Sequence, residues 1–204
     1  MIERVLSLDI SSKTGWACLL SNSEGFELLA AGQVVAIHEP DGYYPSNYVE
    51  WAFLNFGKIL ELIETHQPDV LVIEETAGGS KNGMSQKILE FTHFLVAKFI
   101  RETGIRAIYY LTEQWRRETG CLMSKEEKKK NKQVRDYKKK TGEKLARDIS
   151  GKIMGLVGRK HVNVRRANEL FGQFLPKPLL KKDEDTADAL MLAYAYHARK
   201  MRTL

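Results

Sequence analysis

Asp69 to Glu75 reads "DVLVIEE". Val70, Leu71, Val72 and Ile73 follow one another without a polar break. A strand with one face in water alternates apolar and polar residues. A short unbroken apolar run marks a strand covered on both faces, the central strand of a sheet flanked by helices. The flanks agree. Upstream, "SNYVEWAFLNFGKILELIETH" (46–66) sets Val49, Ala52, Phe53, Phe56, Ile59, Leu60 and Ile63 at helical spacing, and Pro68 stops it. Downstream, "MSQKILEFTHFLVAKFIRETG" (84–104) reads as a second helix ending at Gly104, and "IRAIYYL" (105–111) as another strand.

The chain opens with three more strands: "RVLSLDI" (4–10), "GWACLLSN" (15–22) and "FELLAAGQVVAI" (26–37), with Thr14-Gly15 as a tight connection. They predict an antiparallel meander. The order strand, strand, strand, helix, strand, helix, strand is α/β with a mixed sheet. From about Thr112 the pattern is helical, interrupted by a basic segment. No repeat or Pro/Gly/Ser linker divides the chain, so one domain is expected over residues 1–204, with a basic insertion at about 122–141.

The 204 residues suffice for one domain with a sizeable core. With 43% hydrophobic and 28% charged residues the profile is globular. Cys18 and Cys121 stand far apart without metal-like spacing, which suits a reducing cytosol and excludes a disulfide scaffold. No basic and then apolar leader opens the chain, and no apolar run reaches the ~18–20 residues of a membrane span, so no membrane partner is expected. The net charge of +6 is local: Lys125 to Lys144 holds ten Lys or Arg against four Asp or Glu, and the rest is balanced. A basic block on a neutral body suits a polyanion; the bland reading is a solvated charged helix or loop.

The puzzle is "DEDTADALMLAYAYH" (183–197). Its second half reads as a buried helix, yet it opens with Asp183, Glu184, Asp185 and Asp188. The helix macrodipole favours acids in a first turn, by roughly 0.3–1 kcal/mol each. That accounts for Asp183 and Glu184. Asp188 lies a turn further in and shares a helix face with Asp185. Asp9 and Glu74 stand at the ends of two strands, where α/β folds build sites. Two carboxylates ~4 Å apart repel by roughly 4 kcal/mol at an effective dielectric of ~20. Four brought together take up protons or bind divalent cations, and oxygen-only ligands suit Mg²⁺ or Mn²⁺. Two such ions form the arrangement that cuts phosphodiesters.

"LSLDISSKTGWA", "DVLVIEE" and "DTADALMLAYA", in this order and spacing, resemble the three acidic motifs of RuvC-type Holliday junction resolvases, in the ribonuclease H-like superfamily. The resemblance covers residues 4–121 and 142–198. It implies a ribonuclease H-like five-stranded mixed sheet flanked by helices, and a homodimer that nicks four-way DNA junctions in pairs. It implies two Mg²⁺ per active site, Mn²⁺ substituting, on Asp9, Glu74, Asp185 and Asp188, with Asp9 shared. The implied location is cytoplasmic, on nucleoid or viral DNA. The family's lysine at a helix start before the last acidic motif would be Lys144 in "GEKLARDISGKIMGLV", with Lys132 a rival. "EQWRRETG" resembles a phage- or virus-type loop in which Arg116 faces the scissile phosphate.

Lys13, Lys128, Lys132 and Lys138 are further candidates for DNA contact, and Ser11 a turn residue beside phosphate. The cellular enzymes carry an aromatic wedge three residues after the second acid, where this chain has Ala77. Glu75 should point away from Glu74, Trp115 should pack in the core, and His197 lies too far along its helix for the metals. His66, His93 and His161 have no partners at ligand spacing. An apolar face on Met84 to Arg101 fits either a dimer interface or the core. Three other readings stand beside this one: another ribonuclease H-like nuclease acting on branched DNA, RNA–DNA hybrid or structured RNA; a junction-binding module with a relic site; and a sugar-kinase or actin-like ATPase. The ATPase would need a second domain and a second glycine-rich phosphate loop.

Overall fold

The computed structural model describes residues 2–36, 43–75, 83–147 and 153–203. The meander comprises β1 (Glu3–Asp9), β2 (Lys13–Ser21) and β3 (Phe26–Val35). Then follow α1 (Ser46–His66), β4 (Val70–Glu74), α2 (Gly83–Thr103) and β5 (Arg106–Tyr110). The second half holds α3 (Thr112–Thr119), α4 (Lys125–Thr141), a small hairpin of β6 (Ala146–Arg147) and β7 (Ile153–Met154), α5 (Arg159–Phe171) and α6 (Glu184–Thr203). The five-stranded sheet has the order β3-β2-β1-β4-β5. β1 to β3 pair antiparallel, and β4 and β5 run parallel to β1. This is the mixed α/β sheet that the element order predicts.

β1, not β4, holds the centre of the sheet; β4 is an interior strand between β1 and β5, and its Val70 to Ile73 are fully buried. Alternate residues feed two cores. Val70 and Val72 join Val5, Trp115 and the apolar face of α6 on one side. Leu71 and Ile73 join Leu6, Leu8, Ile59 and Val96 of α1 and α2 on the other. Two covered faces explain why β4 shows no alternation. α6 is buried at Thr186 to Ala193 because it lies directly on the sheet. Trp115 is fully buried, as expected of a core residue. His197 meets Ser21 Oγ at 2.9 Å through Nδ1 and serves packing. Among the described residues no helix is long and apolar enough to cross a membrane.

Two local expectations change. Thr14 and Gly15 lie inside β2, and the turn comes earlier, closed by hydroxyls: Ser11 Oγ donates to the Lys13 carbonyl at 2.8 Å and Thr14 Oγ1 to the Ser11 carbonyl at 3.1 Å. Gly15 is needed for proximity instead. A Cβ there would stand 2.0 Å from the Asp185 carbonyl oxygen. The basic segment, expected to break the helical pattern, is helix α4. Ser124 caps it: its hydroxyl accepts from the Glu127 amide while the Glu127 carboxylate accepts from the Ser124 amide. Asn131 fastens its middle, donating to the Val157 carbonyl and accepting from the Val157 amide, both at 2.8 Å. Ala77 lies outside the described residues, as does the 148–152 part of the stretch around Lys144.

Gly15→Ala should destabilise the protein by about 1–3 kcal/mol, because backbone on both sides of the contact must separate. Urea denaturation checks this. An unchanged midpoint would show that α6 and β2 tolerate separation at this point.

Candidate active site

The first two acids are placed by sheet geometry. β1 and β4 are parallel neighbours with Leu8 opposite Ile73, so Asp9 and Glu74, each the last residue of its strand, reach the same edge. The other two are placed by Gly15. It pairs with Asp9 across β1 and β2, and its missing side chain lets the Asp185 backbone lie against it. The start of α6 is thereby brought to the level of Asp9. One turn on, Asp188 follows on the same face, 7% exposed.

The charges of these groups act on one another. Burial, then the charges of Glu74, Asp188 and Asp185, push Asp9 well above the ordinary carboxylate range. Burial, with the charge of Glu74, raises Asp188 to about 7 against three opposing partners: the Asn163 amide, which donates to Oδ1 at 2.7 Å, the Arg116 guanidinium, 3.9 Å from Oδ2, and the charge of Lys160. Asp185 is raised by burial and held back by Lys160 and Lys13. Glu74 accepts a short hydrogen bond from the Thr112 hydroxyl at the start of α3.

Among the described residues, the cations within 4 Å of Asp185 and Asp188 are Lys160 and Arg116. Lys160, the second residue of α5, pairs with Glu184 and lies 3.9 Å from Asp185 Oδ1. Burial opposes its charge, but Glu184, Asp185 and Asp188 hold the ammonium above the usual lysine range. Arg116 is nearly enclosed, its guanidinium 5.0 Å from the Trp115 ring centroid. Its guanidinium faces the Asp188 carboxylate.

Lys144 does not sit at a helix start. It is exposed in the turn between α4 and β6, because the chain after Gly142 forms a small hairpin there. Lys160 occupies the position beside the acids that was expected of Lys144. Lys132 is exposed on α4, Lys138 half-buried on the same helix, and Lys128 exposed nearer its start. Lys13 is exposed at the start of β2, and Glu75 is exposed one residue beyond Glu74. Sequence reading missed Lys160, Asn163 and Thr112. The available signal was "GRKHVN", a glycine at a helix start followed by a lysine and an asparagine three residues apart.

The donor set fits a hard divalent cation: four carboxylates, of which Asp9, Asp185 and Asp188 are raised, with no sulfur among them. Among the described residues no group of three Asp, Glu, His or Cys side chains is gathered to hold an ion as it stands. Three of the carboxylates are engaged by side chains instead: Asp188 by Asn163 and Arg116, Glu74 by Thr112 and Asp185 by Lys160.

No family model and no curated protein matches the sequence. Solved structures do match in fold. RuvC of Thermus thermophilus in complex with a Holliday junction substrate has a TM-score of 0.59 at 12% identity, over 99% of this chain and 96% of that one. A second structure of the same organism's RuvC gives 0.57 at 15%, over 97% and 96%. The yeast mitochondrial Holliday junction resolvase gives 0.59 at 10%, over 98% and 81%. The chain therefore has the ribonuclease H-like fold of the RuvC-type resolvases.

Because Asp188 is raised when folded, its protonated form stabilises the native state below the unfolded value of 3.8, and that contribution disappears as pH rises through about 7. Thermal stability in chelator should fall across this window. Asp188→Asn should flatten the fall. An equal fall in the variant would assign the effect to other groups.

Proposed function

We propose that this protein is a divalent-metal-dependent endonuclease that resolves four-way DNA junctions, acting as a homodimer that nicks two strands symmetrically. One observation carries this reading: carboxylates from β1, β4 and α6 meet in one electrostatic field beside Lys160 and Arg116. The neighbours of like fold support the substrate class, since two of them are described by the junctions they bind or resolve. Two-fold symmetry in the protein suits a substrate that needs two matched cuts.

Asp9, Glu74, Asp185 and Asp188 would hold two Mg²⁺, with Mn²⁺ able to substitute. These ions would supply an acidified water and charge neutralisation at the phosphate. The chain's own groups do the rest. Lys160 and Arg116 sit beside the acids as fixed cations, placed to offset negative charge that grows on the scissile phosphate. Asn163 and Thr112 orient Asp188 and Glu74 by hydrogen bonds. Buried Trp115 sets the position of α3 and hence of Arg116. Lys128, Lys132 and Lys138 of α4, with Lys13, supply backbone contacts: lysine is a flexible point charge that grips phosphate without reading bases.

Asp9→Asn, Glu74→Gln, Asp185→Asn and Asp188→Asn should each abolish cutting of a synthetic four-way junction in Mg²⁺ while gel-shift binding survives, since phosphate contacts supply most of the affinity. Lys160→Ala should cut at least tenfold more slowly, whereas Lys144→Ala should cut normally. Near-normal cutting by any one acid variant would remove that residue from the site.

Lys132→Gln and Lys138→Gln should each lower the magnitude of the log K against log salt slope by roughly 0.9, for every junction sequence alike. An unchanged slope would place those two lysines in solvent.

A further inference from the structure

Beside the acids lies a second feature, built by α4. A cavity of about 310 Å³ opens between α3, α4 and α5. Arg116, Lys128, Arg135 and Arg159 line it, with Glu113 as its one acid. Glu113 is already paired to Arg159 at 3.0 Å. The lining is therefore strongly cationic. Cys121, Leu122, Met123 and Val162 contribute an apolar part of the wall.

The helix that carries two of these cations is held in place. Lys128 and Arg135 are seven residues apart on α4, two turns, and so share a face. Between them Asn131 and buried Val134 bind α4 to the segment leading into α5, and Glu127 pairs with Arg165 at 2.6 Å. Arg116 belongs to both places: it meets Asp188 at 3.9 Å and also lines the cavity. Its Nε is buried and has no hydrogen-bond partner among the described residues. Buried arginine donors are ordinarily satisfied, so this one is available to an acceptor.

Cations with an apolar wall in a space of this size suit one nucleotide, neither a bare anion nor an apolar ligand. We propose that the cavity between α3, α4 and α5 takes a single unpaired nucleotide of the strand that passes the acids. Its phosphate rests on Arg116, Lys128, Arg135 and Arg159, and its base on Leu122, Met123 and Val162. The inference rests on the junction-cutting reading and deepens it. α4 becomes the wall of a nucleotide pocket as well as a charged surface. At a branch point, where strands exchange and pairing is weakest, an unpaired nucleotide costs least to extract.

The test uses the full chain in chelator without junction DNA, so it does not depend on cutting. The probes are a deoxynucleoside 5′-monophosphate and inorganic phosphate, followed by NMR titration. The mononucleotide should bind at least fivefold tighter than phosphate, with shifts centred on Leu122, Met123 and Val162. Lys128→Ala with Arg135→Ala should weaken it tenfold or more. Lys129→Ala with Lys139→Ala, which removes equal charge from α4 outside the cavity, should change it less than twofold. Equal weakening by both pairs would show a diffuse charge effect and overturn the pocket. Equal affinity for phosphate and mononucleotide would overturn the base-binding wall and the proposal with it. A protein that binds the mononucleotide as described but leaves four-way junctions intact would keep the pocket and fail the junction reading instead.

Discussion

The contact between Gly15 and the Asp185 backbone is the constraint on which the site depends. Strand pairing alone brings only Asp9 and Glu74 together. The other two acids belong to a helix more than a hundred residues further on. They reach Asp9 because β2 presents a residue without a side chain where α6 begins, opposite Asp9 in the ladder. Burial along α6 from Thr186 to Ala193 supplies the force that holds this approach. The hydrophobic effect thus does electrostatic work: it presses together carboxylates that would otherwise separate.

The cost of that arrangement is visible in Asp9 and Asp188, both driven toward their protonated forms by burial and by neighbouring carboxylates, Glu74 among them in each case. The surroundings relieve it with groups from two helices: Arg116 of α3, Lys160 and Asn163 of α5, and Thr112 at the start of α3 holding Glu74. None of these is on the sheet. The sheet places the negative charge, and the helices of the second half of the chain balance it. Arg116 and Lys160 are consequently positioned by the same packing that positions the acids.

The fold was legible where one physical signal dominated. The unbroken apolar run of β4 and the helical spacing of α1 each correspond to a burial pattern that sequence records directly. The four acids could be singled out because negative charge stood where burial was expected. Lys160, Asn163 and Thr112 could not. Their relation to the acids arises only when α5 and α3 pack beside α6; the one local sign, Lys160 and Asn163 three residues apart after Gly158, does not say what they face. The resemblance puts the family's helix-start lysine on Lys144, whereas the chain turns after Gly142 and forms a hairpin. α4 shows the opposite error. Its charge hid a helix whose capping box, Ser124 with Glu127, was written in the sequence all along.

The central claim is that these acids form one metal site directed at branched DNA. Mapping nicks on an end-labelled four-way junction in Mg²⁺, beside a matched duplex and an RNA–DNA hybrid, tests it most directly. The expected result is two nicks placed symmetrically about the branch point, on the four-way substrate alone, and none in chelator. Cutting confined to the hybrid, or cutting that persists in chelator, would contradict it.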